Sequence, residues 1–124
     1  MQFSSRQFVD IAVAAPVGRI DHAAASQLEQ ALAPLLAQTS SGQGGLILDF
    51  SGVDYISSVG LRVLMIAEKQ MRGRGAHIGV AALQPVVAEI FAISRFDSVL
   101  EVFPSVRDGI AKLSPQALAA FDAK

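Results

Sequence analysis

Apolar residues recur at two different spacings along this chain, and the changes of spacing divide it into elements. Phe8, Val9, Ile11 and Val13 are β-favouring residues within residues 7–14, and residues 17–20 resume as a shorter extended piece beyond Pro16. Two adjacent strands are predicted. Asp21 then precedes an alanine-rich stretch, residues 23–38, in which Leu28, Ala31, Leu32, Leu35 and Leu36 recur at helical spacing around Pro34. That spacing predicts a helix with Asp21 or His22 at its cap. Residues 39–45, TSSGQGG, offer nothing to bury and read as a loop. Residues 46–50, LILDF, are a short apolar run interrupted only by Asp49, the pattern of a strand covered on both faces inside a parallel sheet.

Residues 51–58 are predicted as a turn, followed by a helix to about Arg72 that Gly73 and Gly75 close. At 100° per residue, Gly60, Val63, Leu64, Ala67 and Met71 share one face, which belongs against the sheet. The opposite side carries Arg62, Lys69 and Arg72 with Met65 and Ile66 between them, more apolar than a solvated face requires. Residues 76–82 and 99–103 read as strands, and residues 84–94 and 105–113 as helices. This alternation predicts an α/β fold: a single-layer, mixed but mostly parallel sheet of about five strands with about four helices packed on it. Residues 1–124 are expected to form one domain with its core in residues 7–113. Leu118 and Phe121 in the tail, residues 114–124, add a further helical turn or fray.

Composition narrows the function. With ten Lys plus Arg against eleven Asp plus Glu and a net charge of −1, the chain lacks the basic footprint of a nucleic-acid binder. The charged fraction, 17%, falls below the usual ~25% of soluble domains, so part of the surface is apolar enough to meet a partner. No cysteine is present, which excludes thiolate metal sites and thiol catalysis. The opening MQFSSRQFVD has no apolar signal core and no apolar run reaches the ~20 residues of a membrane span, so a cytoplasmic location is expected. A monomer without metal or cofactor is the further expectation.

Asp21, His22, His77 and two serines supply the residue types of a hydrolytic triad, but Ser58 lies in I-S-S-V-G and not in a G-x-S-x-G elbow. Gly42, Gly44 and Gly45 precede a strand, whereas a phosphate-binding loop follows a strand and opens a helix. The chain is therefore read as a binding module and not an enzyme.

Residues 46–64, LILDFSGVDYISSVGLRVL, resemble the STAS domain family, the fold of bacterial anti-sigma factor antagonists. A strand ending in Asp-Phe-Ser-Gly-Val, then an aromatic-Ile pair, then Ser-x-Gly-Leu opening a helix is that family's signature. GRIDHAAASQLEQAL, residues 18–32, resembles its earlier element, and the strand–helix rhythm extends the likeness to Leu113. The resemblance implies a serine phosphorylated by a partner kinase at the start of this helix, which by residue match is Ser58. It also implies a partner surface of Asp21, Ser57, Ser58, Val59, Gly60, Leu61, Arg62, Met65, Ile66 and Lys69. The implied partners are an anti-sigma factor serine kinase and a cognate serine phosphatase.

The chain departs from the family pattern in carrying Ser57 where Asp is usual before the acceptor, and Val59 where Ser is usual after it. Ser57 is accordingly the second candidate acceptor. Independently of the resemblance, a helix N-terminus favours a nearby anion by about 0.3–1 kcal/mol, so a phosphate fits there. Capping needs only a side-chain oxygen on a free N–H, and either serine can supply it. Asp21 is likewise either a cap or a neighbour of Ser58, while Asp49 and Asp54 are turn or strand-end groups. A different function on the same scaffold is an accessory subunit of a membrane transport system, docking without phosphate chemistry. A third is a nucleotide or small apolar ligand at the sheet edge.

Overall fold

The computed structural model describes residues 1–38 and 44–123, so most of the loop predicted at residues 39–45 lies outside the described residues. In order come β1 (Gln2–Phe8), β2 (Ile11–Ile20), α1 (His22–Gln38), β3 (Gly45–Asp49), β4 (Val53–Ile56), α2 (Ser58–Gly73), β5 (His77–Ala81) and α3 (Pro85–Ile93). A 3-10 turn (Phe96–Ser98), β6 (Glu101–Phe103), α4 (Val106–Leu113) and α5 (Pro115–Asp122) complete the chain.

The strands form a six-stranded sheet ordered β1-β2-β3-β5-β6, with β4 joined to the far end of β2. Among the described residues only the β1–β2 hairpin is antiparallel; the β2–β3, β2–β4, β3–β5 and β5–β6 pairs are all parallel. The fold class matches the alternation read from the sequence, with helices on both faces. Alternate residues of each strand go to opposite sides, so Ala12, Ala14, Leu46, Leu48, Ile78 and Val80 share a core with α1, α2 and α3. Ile11, Ile47 and Ala81 pack instead with Ile110 of α4 and Ala117 of α5.

Three boundaries differ from the sequence pattern, each for a local reason. The strand predicted over residues 7–14 is two strands, because the chain reverses at Val9-Asp10 between the paired residues Phe8 and Ile11. No glycine, proline or asparagine marks that reversal, and Val9 takes φ 58° in the left-handed region. Pro16, expected to break the strand, lies inside β2. It sits where β2 has left β3, after the Ala14–Leu48 pair, and has not yet joined β4 at Gly18–Val53. Its missing N–H costs no rung on that side.

The segment predicted wholly as a turn, residues 51–58, contains β4, whose Val53 and Ile56 are buried. Four residues without alternation carry no strand periodicity. At the other end, Ser114 is 1% exposed and its Oγ donates to Asp10, while Gln116 Nε2 donates to the same carboxylate at 3.1 Å. With Phe121 and Phe8 in a T-shaped contact, ring centroids 5.3 Å apart, α5 is fastened to the hairpin.

A β-branched residue at positive φ is strained by about 1–2 kcal/mol, and Val9 is 62% exposed, so its side chain returns little burial. Val9→Gly is therefore expected to stabilise the protein by about 0.5–1 kcal/mol net of the extra chain entropy. A urea melt with an unchanged or lower midpoint would show that the turn is not strained.

Candidate functional site

The parallel pairing of β2 with β4 ends at Ile20–Ile56, and the residue after each strand end, Asp21 and Ser57, immediately precedes a helix. Asp21 and Ser57 thus stand side by side at one edge of the sheet. Asp21 Oδ1 accepts from Ala24 N at 2.9 Å and its carbonyl accepts from Ala25 N at 3.0 Å, so the carboxylate is the cap of α1. Ser57 Oγ accepts from Gly60 N at 3.2 Å, and its own N–H donates to Ile20 O at 2.8 Å. Ser57 is the cap of α2.

With the capping role filled by Ser57, Ser58 becomes the first helical residue, and it is exposed. Among the described residues, its hydroxyl makes no hydrogen bond. The first turn of α2 carries no acidic side chain, and its cap is neutral. The partial positive charge of this helix start is therefore uncompensated by its own residues.

Gly60 explains how the helix start comes so close to the strands. A Cβ built there would lie 2.7 Å from Ile56 Cγ1 and 2.9 Å from Ile20 Cγ2, inside the contact distance of either side chain. Leu61, 8% exposed, is part of the core beneath. Gly60 and Leu61, expected on the partner surface, are buried where they seat the helix, and Leu61 also lines a surface concavity with Ser58. Val59 is half-buried, and Met65 packs partly against the core. Arg62, Ile66 and Lys69 are exposed.

The outer side of α2 divides between two grooves. Ser58 and Leu61 line a shallow concavity with Tyr55, Ile90 and Ile93, whereas Ile66 lines a separate groove against Leu32 and Leu36 of α1. Ile93 is 75% exposed, so α3 offers an apolar rim to the concavity of Ser58. Sequence reading did not select Ile90, Ile93 or Tyr55. The available signal was α3 itself, PVVAEIFAI, apolar at every position but Glu89 although only Val87 and Phe91 are buried. A short helix of that kind calls for a second cover.

The remaining polar candidates lie elsewhere or serve turns. His77 opens β5 beside Gly45, at the end of the sheet opposite Ser58, while His22 is the exposed first residue of α1. Asp49 accepts from Ser51 N at 3.0 Å, and Asp54 is exposed within β4. No helix among the described residues is long and apolar enough to cross a membrane.

The family model of the STAS domain matches residues 2–109, from β1 through the start of α4. The chain belongs to the STAS domain family. Among its relatives, BtrV of Bordetella bronchiseptica, named provisionally as an anti-sigma factor antagonist, is 39% identical over 84% of this chain and 80% of that protein. The crystal structure of an anti-sigma factor antagonist from Mycobacterium paratuberculosis superposes with a TM-score of 0.80 at 24% identity, covering 90% of this STAS chain and 92% of the other. The Bacillus protein SpoIIAA has been solved both unphosphorylated, with a TM-score of 0.75, and phosphorylated, with 0.65, each at 14% identity. These two pairs cover 92% and 90% of this chain and 97% and 98% of SpoIIAA. At such identities the structural likeness concerns the fold.

Proposed function

We propose that this STAS domain is an anti-sigma factor antagonist whose unmodified form captures an anti-sigma factor kinase through the start of α2 and the rim of α3. Phosphorylation of Ser58 then releases the partner. The observation that carries this reading is the division of labour between neighbouring serines: Ser57 is committed to the cap, and Ser58 is exposed with its hydroxyl unbonded beside an apolar rim.

In the transfer step, Ser58 Oγ attacks the γ-phosphorus of a nucleoside triphosphate held by the kinase. The new O–P bond replaces the bond to the departing nucleoside diphosphate, and the hydroxyl proton passes to a base on the kinase. A phosphatase reverses the state by hydrolysis. The product dianion, about −1.5 to −2 charges, is held beside a helix start without acidic residues and faces the docked partner. Ser57, in place of the family's usual Asp, removes a carboxylate that would repel that dianion. The names of the relatives support the antagonist role, and capture of the kinase keeps it from its sigma factor.

Incubation with the cognate kinase and ATP, followed by intact mass and peptide mapping, is expected to find one phosphate, on Ser58. Phosphate on Ser57, or none with an active kinase, would contradict the assignment.

A further inference from the structure

Besides the cap and the acceptor, the edge of the sheet holds a cation without an anionic partner. Arg19 pairs with Tyr55 across β2 and β4, and its guanidinium carbon lies 4.0 Å from the Tyr55 ring centroid. Among the described residues, that guanidinium has neither an ion pair nor a hydrogen bond; stacking on the ring is what holds it. Tyr55 lines the same concavity as Ser58. Tyr55 and Ser58 are three residues apart, at most about 10 Å of chain, a span comparable with the combined length of an arginine side chain and a phosphoserine.

Resting on the phosphoswitch reading above, we propose that Arg19 receives the phosphate on Ser58, with Tyr55 as the residue that parks its guanidinium within reach. A planar guanidinium matches phosphate oxygens with paired N–H donors, which a bare helix start does not. Charged groups on the elements around this edge include Asp21 at the cap of α1, Asp54 next to Tyr55 in β4, Arg62 one helical turn beyond Ser58, Glu89 of α3, and Arg95 directly after Ser94 of the same concavity. Asp21 and Asp54 raise the cost of a dianion here, and Arg19 offsets it. Modification would then act twice on a partner, by adding charge and by drawing an exposed cation away from the docking surface.

The test installs phosphoserine at position 58 during synthesis, so that no kinase is needed, and follows the phosphorus resonance through a pH titration. The second phosphate pKa is expected about 0.3–0.5 unit lower in the parent than in Arg19→Gln, the size of a partly exposed ion pair. Arg19→Lys is expected to keep part of that lowering, and Tyr55→Leu to lose part of it, with thermal melts confirming the fold of each variant. Equal values in the parent and Arg19→Gln overturn the proposal, as does a shift confined to Arg62→Gln, which assigns the phosphate to the helix neighbour. A shift at Arg19 in a protein whose Ser58 the cognate kinase leaves unmodified supports the contact and defeats the phosphoswitch reading.

Discussion

Replacing Ile93 with aspartate is expected to weaken capture of the anti-sigma factor kinase by about 30-fold or more, the effect of losing one central apolar anchor worth about 2 kcal/mol. Ile93 is 75% exposed at the end of α3 and lines the concavity that contains Ser58. An apolar side chain that open to water gains by being covered, and a carboxylate there resists desolvation when a partner arrives. Because the side chain contributes little burial to the domain itself, the unfolding free energy should stay within about 0.5 kcal/mol of the parent. Calorimetric titration together with a urea melt separates the two effects. Unchanged affinity would move the dock away from α3, towards the α1–α2 groove that Ile66 lines.

The second large effect falls on stability. Gly60→Val places a Cβ 2.7 Å from Ile56 Cγ1 and 2.9 Å from Ile20 Cγ2, and neither of those atoms is a mobile side-chain tip. Overpacking of this kind costs about 1–3 kcal/mol, and the two methyls of valine take it to the upper end or beyond. Alanine recovers about 1 kcal/mol of helix propensity and should lose only about 1 kcal/mol net. An ordering of parent, Gly60→Ala and Gly60→Val in urea midpoint is the expected result. If valine unfolds at the parent's midpoint, the start of α2 is not locked onto the ends of β2 and β4.

Gly60 also shows what the sequence made legible. The Ser-x-Gly-Leu signature located the helix start and its two serines, and helical spacing placed Leu64, Ala67 and Met71 on the buried face, where they lie. The strand–helix alternation led to the sheet class. Spacing alone did not distinguish the roles of Ser57 and Ser58, because capping depends on a backbone angle: Ser57 is extended, with φ −83° and ψ 168°, and Ser58 is already helical. Nor did it show β4, whose four residues gain their place from pairing with the second half of β2 beyond a register shift.

Long-range pairing likewise hid the groups around the serine. Arg19 meets Tyr55 through the β2–β4 register, and Ile93 lines the concavity of Ser58 because α3 packs against β4. Residues far apart in the chain share that edge through the parallel crossover, which no window of local periodicity spans. The Val9-Asp10 reversal was hidden for the opposite reason. Val9 is a strand former held at a turn by the rest of the hairpin, and the lone turn-favouring residue beside it, Asp10, is fixed by Ser114 and Gln116.

The central claim is that modification of the Ser58 hydroxyl decides whether a partner docks. Its most direct test is calorimetric titration of the anti-sigma factor kinase, without nucleotide, against the unmodified protein and against protein carrying phosphoserine at position 58. Placing a dianion in a docked surface costs several kcal/mol, so the modified form is expected to bind about 100-fold more weakly or worse, with Ser58→Ala staying close to the unmodified protein. Equal affinities for the modified and unmodified forms would contradict the account.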